Sequence, residues 1–343
     1  MYSFTQFKGT VQGVSLSPKI GYVLPHRSTM QHLTQGHTHS IDMGVVWQYD
    51  GSKSWHIHFN RPRFGFNANY TNFGFREVLG ESFGVQSFLY LPFFRKGHWS
   101  FGSKMSAGVA YVSKKFDQQK NPKNNAIGSH LNGAVTIGVL LERQFKAWSA
   151  GLEISMAHWS NGAYRLPNLG LNVPYLALNF DYYFESIGRD QKQLEQEQFS
   201  TSKWRWGSQL IASAKEVYPT GGSRYGVASF TQFLQYKVGK VSYVEWGADV
   251  IYNQSIIVEV EGDYKQRKNW QLGSYLGYVL PVQRFELIVA MGRYLFNPLD
   301  PRGMWYHKFG GRLRLTDQLM ANVSIKSHWA KADYFEYGLT FEW

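Results

Sequence analysis

The closing stretch DYFEYGLTFEW, residues 333–343, decides the fold. Phe335, Tyr337, Leu339, Phe341 and Trp343 alternate strictly with Glu336, Gly338, Thr340 and Glu342. A period of two puts successive side chains on opposite sides of an extended chain, so one face of this segment is apolar and the other polar or small. A tilted strand of roughly 9 to 11 residues is long enough to cross a bilayer. The same alternation recurs in mid-chain, where Leu176, Leu178, Phe180, Tyr182 and Phe184 alternate with Ala177, Asn179, Asp181 and Tyr183.

The terminal pattern resembles the C-terminal strand by which outer-membrane proteins are recognised for assembly. Its internal copy suggests a duplication. Working backwards from residue 185, strands are expected near 15–25, 38–49, 54–73, 82–94, 98–114, 127–143, 147–160 and 174–185. Eight more are expected near 204–217, 224–238, 241–255, 268–281, 283–295, 303–316, 318–330 and 333–343. Asp50-Gly51, FRKGH and ERQFKA read as tight turns, and HRSTMQHLTQGH, FDQQKNPKNN and NGAYRLPNLGLN as longer loops, the asymmetry expected of the two ends of an outer-membrane barrel.

The fold class is therefore all-β, an antiparallel transmembrane barrel of about sixteen strands. Either one wide barrel or two tandem eight-stranded barrels leaves no unpaired edge. The expected organisation is a first barrel half at 1–186, a polar periplasmic linker or exposed helix at 187–203, and a second, degenerate half at 204–343. SFLYLPFF at 87–94 answers SYLGYVLPV at 274–282, and AHWSN at 157–161 answers SHWAK at 327–331, in the same order.

Composition agrees. Aromatic residues make up 17% of 343 residues, Gly numbers 34, and no run approaches the roughly 18 to 20 apolar residues of a transmembrane helix. A helical membrane protein is thereby excluded. With no Cys, a disulfide framework and thiolate metal sites are excluded too. The start, MYSFTQFKGT, lacks the charged and apolar regions of a secretory signal; the signal of an exported chain is expected to have been removed and Met1 added. The net charge of +12 is scattered among aromatics rather than gathered in a basic stripe, which favours anionic lipid over nucleic acid. Arg61-Pro62-Arg63, and Lys114-Lys115 with Lys120 and Lys123, fall in expected loops, where they would meet lipopolysaccharide phosphates or serve as ordinary solubilising charge.

The chemistry lies in LEISMAHWSNGAYRLPNLGLNVP, residues 152–174. Ala150, Leu152, Ile154 and Met156 share a lipid-facing side, and parity continues it through His158 and Ser160. Side chains at i and i+2 on a strand have Cβ atoms roughly 6 to 7 Å apart, within reach of a nucleophile and general-base pairing. Asn161 and Gly162 follow at the strand end, where a tight turn would aim donors at a developing oxyanion. The bland alternative is a strand end with Trp159 as a girdle aromatic and Asn161-Gly162 as a turn.

HWSNGAYRLPNLGLN, residues 158–172, resembles the signature of the outer-membrane lipid A 3-O-deacylases, the PagL family of acyloxyacyl hydrolases. The likeness spans roughly residues 15–185, with its specific part confined to about fifteen. It implies an eight-stranded barrel that hydrolyses the ester-linked 3-hydroxyacyl chain of lipid A. It also implies His158 as general base, Ser160 as nucleophile, and Asn161 with a backbone N–H near Ala163 as oxyanion donors. Where one member of the family has a Glu orienting the His, twelve residues after the serine, this chain has Asn172. An Asn holds a His tautomer by hydrogen bonding but lends an imidazolium no countercharge.

The second copy reads His328-Trp329-Ala330-Lys331, without the nucleophile. His328 shares the parity of Asn322, Ser324 and Lys326 and is expected to point inward, so a serine at Ala330 should create no activity. That half is expected to be structural or a surface for outer-membrane protein partners. His26, His32, His37 and His39 gather in the first loop, and His56 and His58 alternate on an expected strand, without the spacing of a metal site. No zinc, phosphate-loop or dinucleotide signature occurs, and no cofactor is expected. The rival to an esterase is a non-catalytic barrel, either a porin-like channel or a subunit of a larger outer-membrane assembly.

Overall fold

The computed structural model describes residues 10–185, 202–259, 269–298, 303–329 and 331–343. It contains two closed antiparallel barrels of eight strands each. The first comprises β1 (Thr10–Tyr22), β2 (His37–Tyr49), β3 (Arg63–Asn72), β4 (Glu81–Lys96), β5 (Trp99–Val112), β6 (Leu131–Gln144), β7 (Trp148–Ser160) and β8 (Leu171–Tyr183). The second comprises β9 (Trp204–Glu216), β10 (Arg224–Lys237), β11 (Tyr243–Asn253), β12 (Trp270–Val282), β13 (Phe285–Phe296), β14 (Trp305–Arg314), β15 (Leu319–His328) and β16 (Lys331–Glu342). Each strand pairs with its sequence neighbours, and each ring closes on its own first strand, β8 on β1 and β16 on β9. The alternative of one sixteen-stranded barrel is thereby decided against.

Alternation along each strand sorts side chains between lipid and interior. On β16, Tyr337, Leu339 and Phe341 are exposed while Glu336 and Thr340 are buried; on β8, Leu176, Leu178 and Phe180 are exposed while Ala177 and Asn179 are buried. An eight-stranded barrel is just wide enough inside for side chains to fill it. In the first barrel that filling is ionic: Arg63 Nη2 lies 2.5 Å from Glu142 and Nη1 2.7 Å from Asp181, Lys19 lies 2.6 Å from Asp42, and Lys104 3.1 Å from Glu153. A cavity of about 10 Å³ lies beside Arg63, Asn67, Lys104 and Asp181, room for about one water. In the second barrel Arg312 grips Glu245 at 2.6 and 2.9 Å, Lys308 lies 2.9 Å from Asp249, and Lys215 2.7 Å from Asp333. Pairing of this kind offsets the cost of burying the charges.

One end of the first barrel is plugged. Val23, Met30, Leu33, Phe73, Leu79 and Ile127, from three loops, form an apolar cluster with Trp159 and Leu171 at the strand ends. Asn124 ties the loops together, its Nδ2 donating to the carbonyls of Val78 (3.0 Å) and Lys114 (3.2 Å). The rim holding the end of β7 thus rests on a packed platform.

Four expectations are corrected. The strand expected at 54–73 begins only at Arg63; Ser54–His58 form a short helix, α1, in which Trp55 and His56 pack on the Tyr49 ring at 4.4 and 4.5 Å. Asp50-Gly51 therefore opens a connection containing a helix rather than a tight turn, and His56 and His58 do not alternate on a strand. Arg63 is 2% exposed in the barrel interior, at the end opposite Ser160, and Arg61 lies beside it, so neither can meet a headgroup at the Ser160 rim. Two buried carboxylates demand the Arg63 guanidinium more strongly than solvent does. The linker expected at 187–203 falls, except for residues 202 and 203, outside the described residues.

Candidate active site

The site is built at the end of β7. Leu152, Ile154 and Met156 are exposed on its outer face, while Glu153, Ser155 and Ala157 are buried inside. Trp159 continues the inner row: it is 4% exposed and meets Phe73 edge-on, with ring centroids 5.1 Å apart at 89°. That anchoring turns its neighbours His158 and Ser160 to the outer side by parity. Trp159 is thus a plug residue and not a girdle aromatic.

His158 is half-buried and lies opposite Asn172, its register partner on β8. Its Nδ1 is 2.6 Å from Asn172 Oδ1. A neutral imidazole that donates from Nδ1 presents a lone pair on Nε2. Ser160, two residues along, is 2% exposed, and its hydroxyl accepts a hydrogen bond from Asn168 Nδ2 at 2.8 Å. The expected lipid-open serine is therefore buried, and Asn168, which holds it, lies within the same motif but outside the set of expected site residues. The signal was present, since Asn168 stands between two loop prolyl and glycyl positions, but only the fold of the loop brings it back to Ser160.

The expected oxyanion donors are partly engaged. Asn161 N–H donates to Asn168 Oδ1 at 3.1 Å, and Asn161 Nδ2 donates to Ser129 Oγ at 2.9 Å. Gly162 and Ala163 follow in the left-handed region, with φ of 61° and 59°. Two such residues in succession reverse the chain direction, as in a tight turn. At the other end of the loop Gly170, with φ of 77°, donates its N–H to Ala126 O at 3.0 Å and passes directly against the His158 ring. A Cβ there would lie 2.6 Å from His158 Cε1 and 3.2 Å from Nε2, so the imidazole occupies space that only glycine leaves open.

The same rim carries the loop of residues 113–130, in which Lys114, Lys115, Lys120 and Lys123 are all exposed. The backbone N–H groups of Lys120 and Gln119 donate to the Asp117 carboxylate at 2.8 and 2.9 Å and hold its pKa below the usual carboxylate value. The histidines of the first half are dispersed: His26 approaches Asn172, His32 Nε2 lies 2.7 Å from Lys123 O, and His56 and His58 occupy the opposite end. Among the described residues no cluster of His, Asp and Glu has a metal-binding arrangement.

The equivalent strand of the second barrel, β15, presents a different picture. His328 stacks on the buried Tyr294, with ring centroids 5.8 Å apart, and its Nε2 is 3.2 Å from the Tyr294 hydroxyl. It points inward beside Asn322, Ser324 and Lys326, as parity requires. Ala330 lies outside the described residues. The paired segments 87–94 and 274–282 fall on the fourth strand of each barrel, and 157–161 and 327–331 at the end of each seventh strand, as a tandem duplication requires.

Closed barrels with an apolar outer band and ionic interiors define a bacterial outer-membrane β-barrel protein, here with a His–Ser–Asn cluster at one rim. Residues 41–182 match the family model described as lipid A 3-O-deacylase (PagL), and residues 204–343 match that of the acyloxyacyl hydrolase C-terminal domain. The chain belongs to this family, with a degenerate second copy. A solved structure of the outer membrane enzyme PagL is similar at 20% identity, covering 48% of this chain and 97% of its own, with a TM-score of 0.35. A triple mutant of the Rhodopseudomonas blastica porin aligns at 10% identity over 97% of this chain and 100% of its own, with a TM-score of 0.20. At these scores neither likeness bears on function. Comparison with curated proteins finds no match.

Proposed function

We propose that the chain is a serine esterase that removes an ester-linked acyl chain from lipid A at the rim of its first barrel. The observation that carries this reading is the 2.6 Å contact of His158 Nδ1 with Asn172 Oδ1, with Ser160 two residues along the same outer face. In this scheme Asn172 holds the proton on Nδ1, and Nε2 takes the proton of Ser160 as Oγ attacks the ester carbonyl carbon. The resulting oxyanion is met by N–H groups of the Asn161–Ala163 turn, and the Asn168 amide, already donating to Oγ at 2.8 Å, is within reach of it. Collapse breaks the bond to the sugar oxygen, which leaves with the proton held by His158. Water then attacks the acyl-enzyme by the same route and releases the fatty acid. No step requires a cofactor.

The exposed lysines of the 113–130 loop would hold the phosphates of the lipopolysaccharide headgroup, and the acyl chain would lie along Leu152, Ile154 and Met156. Orientation at a membrane surface replaces the enclosed pocket of a soluble esterase. We assign residues 1–186 to the catalytic half, 187–203 to the linker, and 204–343 to a half that is structural or an interaction surface. The inward His328 supports a silent second copy. The ion-filled interior argues against the porin-like alternative.

The test is fatty-acid release from lipid A by the detergent-purified protein, read by mass spectrometry beside Ser160→Ala and His158→Ala. Release of a 3-hydroxyacyl chain by the wild type alone is expected. If both variants release it at the wild-type rate, the serine mechanism is wrong; release by none of the three, across several lipid A types and phospholipids, refutes the enzyme.

A further inference from the structure

We infer that His26, in the first rim loop, is a positioning residue that fixes the direction of the Asn172 amide and through it the tautomer of His158. This inference rests on the esterase reading above. Asn172 stands between two imidazoles: its Oδ1 is 2.6 Å from His158 Nδ1, and its Nδ2 is 3.0 Å from His26 Nδ1. The approach of His26 is built into the backbone, since Leu24 N–H donates to Asn172 O at 2.8 Å and so holds the loop against β8 two residues before His26.

The need for such a residue follows from the chemistry of an amide. A carboxylate offers two equivalent acceptor oxygens, so either orientation accepts from His158. An Asn side chain has one acceptor and one donor end, and rotation by half a turn exchanges them. In the exchanged orientation Nδ2 faces His158 Nδ1, which then has to be the unprotonated nitrogen. The proton moves to Nε2, and the ring cannot accept the serine proton. His26, offering the lone pair of Nδ1, accepts from Asn172 Nδ2 and favours the productive orientation. The histidine thus supplies the orientation that a symmetric carboxylate at this position would not need.

The experiment is a double-mutant cycle on the full-length protein, reading release of 3-hydroxyacyl chains from lipid A vesicles. The variants are His26→Ala, His26→Asn, Asn172→Asp, and Asn172→Asp combined with His26→Ala, with Ser160→Ala alongside. His26→Ala is expected to lower kcat about fivefold, the worth of one neutral hydrogen bond, with KM unchanged. His26→Asn keeps an acceptor oxygen near the Nδ1 position and is expected to retain most of the wild-type kcat. In the Asn172→Asp background the symmetric carboxylate removes the need for His26, so His26→Ala there should cost less than about twofold. A loop role alone would give equal losses in both backgrounds or a loss that His26→Asn does not rescue; either outcome overturns the relay, as does a His26→Ala enzyme with wild-type kcat. If Ser160→Ala is inactive while any of these holds, only the relay falls. If Ser160→Ala keeps full activity, the serine mechanism falls and the relay with it.

Discussion

Replacing Gly170 by Ala probes the candidate base without touching it. The new Cβ would stand 2.6 Å from His158 Cε1, 3.2 Å from Nε2 and 3.1 Å from the Trp159 carbonyl oxygen. Carbon–carbon contacts begin at about 3.5 Å, so the ring has to retreat by roughly 0.9 Å, because the carbonyl blocks the methyl from yielding instead. A misplacement of about 1 Å at a reacting group costs on the order of 100-fold in rate. The φ of 77° adds a backbone penalty of about 1–2 kcal/mol for any side chain. Gly170→Ala is therefore expected to fold, to lose heat stability modestly, and to lose about two orders of magnitude in kcat. The assay is fatty-acid release beside heat-modified gel mobility, which reports the closed barrel separately. A folded Gly170→Ala protein with wild-type kcat would refute the reasoning, since it would mean that the His158 position is irrelevant to the chemistry.

Arg63→Met should leave Glu142 and Asp181 buried without their shared cation and destabilise the first barrel by about 3–5 kcal/mol, measured by urea unfolding in detergent. Replacing Lys114, Lys115, Lys120 and Lys123 by Ser should raise KM for lipid A with little change in kcat, and the remaining activity should depend less on salt; a KM unchanged at low ionic strength would remove the loop from substrate binding. In planar bilayers the protein should give no stable conductance steps, because the Arg63 and Arg312 ion pairs occupy the two interiors; porin-like steps would contradict that packing.

What the sequence made legible was whatever alternation encodes. Fifteen strands lie within a few residues of their expected places because each must present one apolar face to lipid. The exception, β3, failed where Trp55 and His56 carry strand-like residue types yet pack locally on Tyr49. Parity also sufficed to turn His158 outward and His328 inward. It could not reveal burial of Ser160 or the contacts of Asn168 and His26, because these depend on how loops fold back, and loop closure leaves no periodic trace. Arg63 was misread for a related reason: a charge beside a proline looks like loop until its carboxylate partners, 79 and 118 residues away, are seen to meet it.

The closure of each ring on its own first strand bears on how the chain acquires its shape. Every other pairing joins neighbours in sequence, but β1 meets β8 across 170 residues, from Gly13 to Tyr183, and β9 meets β16 across 125, from Ala212 to Tyr337. The entropy of joining ends grows only logarithmically, so these two closures differ by about 0.3 kcal/mol. One large ring would spare the chain a whole closure at the cost of about 0.6 kcal/mol in span. Chain statistics thus favour the single ring, and what offsets them is the interior: sixteen strands would surround a lumen too wide for Arg63 and Arg312 to reach their carboxylates across it. The long side chains that fill each barrel therefore also set how many times the sheet closes.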